Sequence, residues 1–570
     1  MLEWPAHAVT ERFVGQRLRR FEDPRLLRGE GAFLEDLRLP DLLHAAFVRS
    51  PYAHARIRAV PVEAARGPGV VAVFAAGDLP ARPIPGVISH PALRPCRQPV
   101  LARDVVRFAG EPLAIVVARD RYAAEDGAEA LTAALALEPL PVVPSAEVAL
   151  ADGAPVLHAD LGDNVAARFA VHVGDAERAF RSAEVVVRGR FDVQRYTGMP
   201  IETRGVLAAI DPLSGRLTVW SSTQWPHTVR RALAEALGRP EHRLRVIAPD
   251  VGGGFGVKQE IYPEEIAVPF VALSLRRPVR WVETRREHFT GAAHAREQTH
   301  EMELAVTRAG VVIGLRARVI ADLGAYTRSL GALCPSITAS ALAGPYRIRD
   351  YRAEVVCALT SKAPAGAYRG AGAPEAVFAL ERAMDRVARA LGLDPAEVRR
   401  RNLIGRDEFP WHTGLGTAQE PVVYDSGDYA AVLDRALERL DYDGWRKRQV
   451  AARQAGRHLG IGLAPYVLLG GLGPFESALV RVDPSGEVVV LTGASPHGQG
   501  TATALAQIVA DELAVGPERV TVRHGDTDQL PFGVGTYASR NAVMAGSAAA
   551  VAAQAVRAKA LLLAAPLLEA

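Results

Sequence analysis

Residues 251–260, VGGGFGVKQE, place four glycines in five positions: Gly252, Gly253, Gly254 and Gly256. Glycine loses more conformational entropy on folding than any other residue, so such a cluster is typical of a tight turn or of close approach by another group. The apolar stretch RLRVIAPD (243–250) precedes it, and PEEIAVPFVALSL (263–275) follows with Pro263 suited to a first helical turn. This order predicts a strand, a loop facing a ligand, and a helix.

The same order recurs elsewhere in the chain. An apolar stretch leads through a small-residue loop into a helical pattern around SSTQWPH (221–227), SKAPAGAYRGAGAPEA (361–376) and SPHGQGT (495–501). A further loop, in HGDTDQLPFGVGTYASR (524–540), follows another apolar stretch. Because helix N-termini attract anions, we expect these loops to converge on one extended anionic ligand.

Composition excludes several classes of protein. The 570 residues carry 67 Lys and Arg against 64 Asp and Glu, so the net charge of +3 gives no nucleic-acid-binding field. Three separated cysteines, Cys96, Cys334 and Cys357, form neither an iron–sulfur motif nor a disulfide framework. The N-terminus has no signal design, and charges interrupt the apolar C-terminal stretch, so we expect a cytoplasmic chain.

Simple nucleotide and hydrolase motifs are missing from the sequence. No loop satisfies G-x-G-x-x-G or the phosphate-binding P-loop, and neither H-E-x-x-H nor G-x-S-x-G occurs. The residues alone therefore predict a large α/β protein that binds a long anionic cofactor through its backbone. A nicotinamide-dependent dehydrogenase is disfavoured by the failed fingerprints.

With these loops in view, the chain resembles the large, molybdenum-cofactor-binding subunit of the xanthine dehydrogenase and aldehyde oxidase family, in particular its bacterial carbon-monoxide-dehydrogenase-like members. The resemblance covers nearly the whole chain. Its most specific stretches are VGQRLRRFEDPRLLRGEGAFLEDL (14–37), SSTQWPH, GGGFGVK, AYRGAGAPEA (367–376), HGQGTATALAQ (497–507) and GTYASR (535–540).

The resemblance implies an α+β fold. It comprises an N-terminal α/β-hammerhead-like domain over 12–150 and two large mixed α/β molybdenum-cofactor-binding domains. The first would span 160–410, and the second 425–570 with its C-terminal part missing. The Pro-rich LEPLPVVPSAE (137–147) is typical of the first boundary.

The resemblance also implies a cofactor and its contacts. Molybdenum would be held by a pterin dithiolene extended by cytosine dinucleotide, so the protein supplies no direct metal ligand. Gln224 would act as the catalytic residue that hydrogen-bonds the oxo ligand; as alternatives, Gln224 is a core-edge amide and Gln499 an ordinary helix cap. The cofactor-binding residues carried over by motif are Gly254, Phe255, Gly256, Arg369, Gly370, Gln499, Thr536, Ala538 and Ser539.

Members of the family insert oxygen from water into a C–H bond beside a carbonyl or a ring nitrogen. Electrons leave through 2Fe–2S clusters to FAD, and this chain has motifs for neither. The resemblance therefore implies a small iron–sulfur subunit and a medium FAD-binding subunit as partners, assembled as a dimer of heterotrimers.

Two departures from the family pattern qualify this prediction. The glycine-flanked glutamate that serves as general base near the end of the subunit is absent; the other candidates, Glu202, Glu260, Glu264, Glu265 and Glu375, do not match its motif. Either the chain is truncated, or a second polypeptide completes the site; the alternative is a non-catalytic cofactor-binding fragment or scaffold.

The second departure concerns the substrate. Gln259 stands where purine-oxidising members carry glutamate, Ala371 replaces their ring-stacking phenylalanine, and Gly370 replaces the copper-binding cysteine of CO dehydrogenases. An aldehyde or an N-heterocycle remains as the expected substrate.

Overall fold

The computed structural model of the chain describes residues 12–416 and 421–569. The expectations about the N-terminal leader and about the last residue of the second cofactor-binding domain, Ala570, fall partly outside this range. The strands are β1 (Leu43–Arg49), β2 (Ala55–Ala59), β3 (Val70–Ala75), β4 (Val105–Val106), β5 (Pro112–Ala118), β6 (Ala136–Pro139), β7 (Val165–Val173), β8 (Val185–Tyr196), β9 (Gly205–Ile210), β10 (Leu217–Ser221), β11 (Leu244–Ile247), β12 (Val279–Val282), β13 (Ala295–Val306), β14 (Val312–Asp322), β15 (Tyr351–Ala358), β16 (Trp411–Gly416), β17 (Pro421–Tyr424), β18 (Ala478–Val482), β19 (Val488–Thr492) and β20 (Val520–Arg523).

Helices alternate with these strands through most of the chain. They are α1 (Asp23–Leu27), α2 (Arg121–Ala134), α3 (Ala146–Ala149), α4 (Ala176–Arg181), α5 (Pro226–Leu237), α6 (Pro263–Leu275), α7 (Arg285–Gly291), α8 (Leu333–Ala341), α9 (Ala373–Leu391), α10 (Pro395–Asn402), α11 (Tyr429–Leu440), α12 (Tyr442–Gln454), α13 (Thr501–Leu513) and α14 (Gly546–Ala564), the last preceded by a π-helical turn, Asn541–Ala545. The mixed α/β architecture expected from the sequence is confirmed.

The largest sheet joins two stretches of chain that sequence analysis assigns to different domains. Its order is β11-β10-β9-β12-β1-β5-β3, and β1 pairs in parallel with β12 through Leu43 opposite Val279. Helices α5 and α6 contribute to the apolar core on this sheet. The N-terminal region therefore shares its main sheet with the segment that carries the glycine loop, a pairing that no local signal reveals.

A second sheet, β7-β15-β14-β13-β8, packs against the long helix α9. The sequence pattern predicts an apolar face on α9 from Val377, Leu380, Met384, Val387 and Leu391; Leu380, Met384 and Val387 are buried, and the other two are only partly buried. Helix α9 ends at Gly392, whose left-handed φ of +65° suits glycine.

The C-terminal region forms a smaller layer in which α13 and α14 pack on the sheet β18-β19-β20. The helical stretch Asn541–Leu567 is long and apolar enough, by length and composition, to cross a membrane; it is the one such stretch in the described part of the chain. Much of its apolar surface is exposed, including Val551, Leu562 and Leu567.

One buried arginine joins α10, α9 and the segment that follows α12. Arg399 on α10 is fully buried; its Nε donates to Glu381 Oε2 at 2.7 Å and its Nη2 donates to Asp385 Oδ1 at 2.9 Å, both on α9. The same Nη2 donates to the carbonyl oxygen of Leu463, which lies beyond α12, at 2.8 Å. One guanidinium therefore bonds two carboxylates and one carbonyl oxygen from separate segments of the chain.

We predict that Arg399→Met destabilises the fold strongly. Removing one partner of a buried ion pair typically costs about 3–5 kcal/mol, because the remaining charge stays buried. The matched control is Arg400→Met, whose partners Asp434 and Glu397 are exposed; an exposed pair contributes about 0–1 kcal/mol. Urea denaturation of both variants measures the difference, and equal midpoints would contradict this assignment.

Candidate functional site

The glycine loop is packed against other loops of the same chain. A Cβ on Gly254 would lie 2.6 Å from Oε1 of Gln224, and a Cβ on Gly256 would lie 2.6 Å from the carbonyl oxygen of Ala367. Gly253 and Gly256 also have left-handed φ values of +99°. The side chains are therefore excluded by the SSTQ and AYRG loops, which meet the glycine loop here.

Gln224 joins the glycine loop to the GTYASR loop. Its buried side-chain Oε1 accepts from the N–H of Gly256 at 2.8 Å, and its Nε2 donates to the carbonyl oxygen of Thr536 at 2.8 Å. The backbone N–H of Thr536 returns a hydrogen bond to the carbonyl oxygen of Gln224 at 2.9 Å. Nε2 carries a second N–H, which donates to no acceptor among residues 12–416 and 421–569. The predicted contact of Gln224 with the cofactor stays a prediction.

The AYRG loop lies directly on the glycine loop. The N–H of Arg369 donates to the carbonyl oxygen of Phe255 at 2.9 Å. Arg296 also holds the AYRG loop, because it donates to the carbonyl oxygen of Arg369 and to Glu375 Oε2, both at 2.8 Å. Gly370 has a φ of +108°, and a Cβ there would lie 2.4 Å from Cγ of Pro374.

Left-handed backbone at residues other than glycine occurs in three of these loops, as it does at seven other described positions. Phe255, Ala371, Ala538 and Ser539 have φ values of 57°, 46°, 45° and 52°. Such conformations cost on the order of 1–3 kcal/mol each and cluster at ligand sites. Strain at three loops that sequence analysis selects supports their assignment to one ligand.

Ala538 and Ser539 are exposed at the start of the helical stretch that begins at Asn541. Their N–H groups donate to no acceptor within the part of the chain that the structure describes. Thr536 is buried next to them, where its Oγ1 accepts from the N–H of Ser495 at 3.0 Å and donates to Asn541 Oδ1 at 3.1 Å. The buried Thr536 therefore anchors the loop, while the backbone of Ala538 and Ser539 is exposed.

Gln499 lies exposed in the HGQG loop. Its Oε1 accepts from the N–H of His497 at 2.8 Å, so the side chain closes a local turn. Burial lowers the pKa of His497 to about 4, which leaves the ring neutral at neutral pH. No contact to another candidate loop fixes the Gln499 side chain, and its predicted contact with the cofactor stays a prediction.

The N-terminus of α13, which the loop pattern offers to an anionic ligand, is partly occupied by a side chain of this chain, and its contact with a ligand stays a prediction. The carboxylate of Glu22 already occupies that position: Oε1 accepts from the N–H groups of Ala502 and Thr503 at 3.0 and 3.4 Å. Thr503 Oγ1 donates to Oε2 at 2.5 Å. Glu22 lies about 480 residues away in sequence, so the helix start itself carries no signal for this partner.

Two carboxylates, the partly buried Glu202 and the buried Glu476, hold the loops, and sequence analysis assigns no such role to either. Glu202 Oε2 accepts from Lys258 Nζ at 2.8 Å, from Ser222 Oγ at 2.7 Å and from the N–H of Gly252 at 2.8 Å. Burial lowers the pKa of Lys258, and Glu202 opposes that shift. The sequence signal that could have indicated this ion pair is Lys258, a charged residue at the end of an otherwise apolar glycine loop.

The second carboxylate, Glu476, holds the turn before Thr536. It accepts from the N–H groups of Val534 and Gly535 at 3.1 Å and from Arg540 Nη1 at 2.7 Å. Arg540 is buried and also donates to the carbonyl oxygen of Gly535 at 2.9 Å. Charged residues at these positions look ordinary in the sequence, so only the folded chain reveals their partners.

The other glutamates considered as general bases also have structural partners. Glu264 pairs with Arg49 and Arg204 at 2.7 and 3.1 Å, and Glu375 pairs with Arg296 at 2.8 Å. Glu265 accepts from Ser221 Oγ at 2.7 Å, and Glu260 accepts from the N–H of Ser329 at 3.1 Å. Burial raises the pKa of Glu260 and of Glu265 to about 7.

Family models match three parts of the chain. Residues 28–139 match the aldehyde oxidase and xanthine dehydrogenase a/b hammerhead domain. Residues 157–403 and 435–570 each match a molybdopterin cofactor-binding domain.

Individual relatives agree with these models. The chain is 40% identical over 565 residues to the 6-hydroxypseudooxynicotine dehydrogenase complex subunit gamma of Paenarthrobacter nicotinovorans, covering 98% of this chain and 70% of the relative. It is 38% identical over 580 residues to the nicotine 6-hydroxylase large subunit of the same organism, with the same shares covered. It is 37% identical to the carbon monoxide dehydrogenase large chain of Hydrogenophaga pseudoflava, covering 96% of this chain and 71% of that one.

Solved structures share the fold. Quinoline 2-oxidoreductase from Pseudomonas putida 86 matches with a TM-score of 0.92 and 37% identity over 98% of this chain and 72% of that chain. CO dehydrogenase from Oligotropha carboxidovorans matches with a TM-score of 0.90 and 35% identity, covering 97% of this chain and 72% of that chain.

We predict that Gly254→Ala disrupts the junction of the loops. The added Cβ meets Gln224 Oε1 at 2.6 Å, so the glutamine must move and release Gly256 and Thr536. Hydrogen exchange of peptides covering 221–225, 251–258 and 533–541 should become faster by on the order of tenfold, the effect of losing about one buried hydrogen bond.

The matched control is Gly67→Ala. Gly67 also has no left-handed φ, and nothing lies within 4 Å of its added Cβ. Exchange in the same peptides should stay unchanged in this variant. If the Gly254→Ala protein exchanges at the rate of the unsubstituted protein in these peptides, the loops do not depend on the Gln224 contact.

Proposed function

Because this chain belongs to the xanthine dehydrogenase and aldehyde oxidase family as a molybdopterin-binding large subunit, we propose that it hydroxylates an N-heterocyclic substrate with oxygen taken from water. The observation that carries this proposal is the convergence of the SSTQ, GGGFG, AYRG and GTYASR loops, joined by the buried amide of Gln224. We further propose the cytosine dinucleotide form of the cofactor.

The residues present fit such a cofactor. The molybdenum–pterin group, when bound, supplies the centre that transfers oxygen and takes up two electrons. This chain supplies hydrogen-bond donors: the second N–H of Gln224 and the free N–H groups of Ala538 and Ser539. In the described residues no group of three or more His, Cys, Asp or Glu side chains could hold a metal ion directly.

The phosphates of the dinucleotide fit best at residues 538–541. The N–H groups of Ala538 and Ser539 are exposed and donate to no acceptor in the described structure, so they are available to phosphate oxygens. The helical stretch beginning at Asn541 adds the positive end of its dipole. By contrast, Glu22 fills the corresponding position of α13 with a carboxylate, which repels a phosphate.

The substrate is an uncharged nitrogen heterocycle in this proposal. Gln259 is buried and neutral where purine-oxidising members carry glutamate, and Ala371 is small where they carry a stacking phenylalanine. Two relatives and one solved structure that match this chain at 37–40% identity are named for nicotine-related or quinoline substrates. An aldehyde is the second candidate, since the family name includes aldehyde oxidases.

The general base belongs outside residues 1–570 in this proposal. The five glutamates that sequence analysis weighs as the general base each hold a partner: Glu202, Glu260, Glu264, Glu265 and Glu375. A carboxylate held this way cannot approach a substrate without breaking the loop that it supports. The alternative remains a non-catalytic cofactor-binding scaffold.

Electron transfer requires partners in this proposal: a 2Fe–2S subunit, an FAD subunit, and their assembly as a dimer of heterotrimers. The names of the relatives denote subunits of larger enzymes. Burial raises the pKa of Cys96 and of Cys357 to about 12, so neither thiol is suited to act as a thiolate ligand.

The function is tested on the protein purified with the partners that copurify from its native source. We expect about one molybdenum per chain, release of cytidine monophosphate on acid hydrolysis, and label from ¹⁸O-water in a hydroxylated pyridine or quinoline. Protein without molybdenum would overturn the proposal. Molybdenum without turnover would establish the scaffold alternative, and turnover of aldehydes alone would establish the second substrate class.

A second prediction concerns Gln224→Glu in the same enzyme. Glutamate retains an acceptor for the N–H of Gly256 but loses both N–H donors. Loss of one well-placed donor lowers kcat by about 10²–10³-fold in comparable sites. We expect a fall of this size while molybdenum content stays near normal.

The control for burying a carboxylate is Gln98→Glu. Gln98 is buried, its Oε1 accepts from Arg328 Nε at 3.1 Å, and it forms no hydrogen bond with any of the four loops in the described structure. Turnover should change less than tenfold there. If Gln224→Glu turns over at the normal rate, its amide does not serve the reaction.

A further inference from the structure

Residues 13–33, here termed the strap, run across the outside of two candidate cofactor loops. At its first end, the strap is bonded to α13. The N–H groups of Phe13 and Val14 donate to the Asp511 carboxylate at 2.6 and 3.0 Å, and Gln507 Nε2 donates to the carbonyl oxygen of Phe13 at 2.7 Å. This end of the strap therefore lies along α13.

The middle of the strap holds the HGQG loop and the first turn of α13. Arg20 Nη1 donates to the carbonyl oxygen of Gly498 at 2.9 Å, and the N–H of Phe21 donates to Thr503 Oγ1 at 2.8 Å. Glu22 then caps the helix through Ala502 and Thr503. The loop and the helix start therefore share one set of strap partners.

The last part of the strap holds the start of the glycine loop. Arg25 Nη1 and Nη2 donate to the two carboxylate oxygens of Asp250 at 2.6 and 2.7 Å, and the N–H of Ala32 donates to Asp250 Oδ2 at 2.7 Å. The N–H of Asp250 donates to the carbonyl oxygen of Ala32 at 3.1 Å. Asp250 directly precedes Val251, so this pair fixes where the glycine loop leaves β11.

The short helix α1, Asp23–Leu27, directly follows Glu22 and carries Arg25, so it links these two attachments. It buries none of its residues, and Leu27 is 86% exposed, so apolar packing does not hold it. Only directional polar bonds do, and bidentate arginine–carboxylate pairs fix orientation as well as distance. One helical turn therefore separates the attachment at α13 from the attachment at Asp250.

We propose that the strap sets the separation of the HGQG loop and the glycine loop, with Glu22 and Arg25 as its positioning residues. The role in catalysis rests on the proposed function, because only there do both loops face one cofactor. The mechanical coupling is a property of the chain itself. Loosening either attachment releases both loops.

Hydrogen exchange of the full chain tests the coupling. Arg25→Gln should speed exchange by on the order of tenfold in peptides covering 251–257 and also in those covering 497–503, which Arg25 does not bond. Glu22→Gln should affect the same two regions. Arg25→Lys keeps the charge but not the bidentate geometry and should give an intermediate effect.

The matched control within the strap is Arg28→Gln. Arg28 pairs with Glu30 at 2.8 Å, and both side chains are exposed, so this variant should leave both loops unchanged. Faster exchange confined to the loop next to each substitution would overturn the coupling. Faster exchange throughout the chain, including β13 and β14, would assign the strap a general stabilising role and also overturn it. Exchange requires no molybdenum, so the result is independent of the catalytic proposal.

Discussion

The hydrogen bonds of the Gln224 side chain are the interaction on which the junction of the candidate loops depends. They connect a loop held by Glu202 and Lys258 to a loop held by Glu476 and Arg540. A buried polar group left without a partner costs about 1–3 kcal/mol, so Gly256, Thr536 and the amide stabilise one another's positions. The glycine at 254 is a consequence of this contact, because a Cβ there would displace the amide.

Buried charged side chains near the candidate loops are largely neutralised by ion pairs. Arg204 pairs with Glu264 and Glu283, and burial of Glu283 is outweighed by Arg204 and His288, which lower its pKa to about 2. Lys258 is likewise held by Glu202. The GGGFG and GTYASR loops therefore offer an anion backbone N–H groups and a helix dipole, because their cations Lys258 and Arg540 are paired, and this suits a large ligand that must be held in one orientation.

The sequence predicts what local chemistry determines. Pro226 and Pro263 begin α5 and α6, and Gly238 and Gly392 follow the ends of α5 and α9, because these residues act within a few positions of themselves. Pairing between distant segments has no such signal. The pairing of β1 with β12, the Arg25–Asp250 pair and the Glu22 cap join residues more than 200 positions apart. Motif resemblance selects the candidate loops but not the carboxylates that support them.

The glycine loop shows why abundance of glycine alone is weak evidence for a ligand. At Gly254, Gly256 and Gly372 the atoms that exclude a side chain belong to Gln224, Ala367 and Cys334 of the same chain. Internal packing therefore accounts for these glycines without any ligand. Strained Ala538 and Ser539 are different, because small side chains there adopt left-handed backbone while their N–H groups remain unused in the described structure. These left-handed conformations cost free energy. Hydrogen bonds from the two N–H groups to a bound anion would offset that cost.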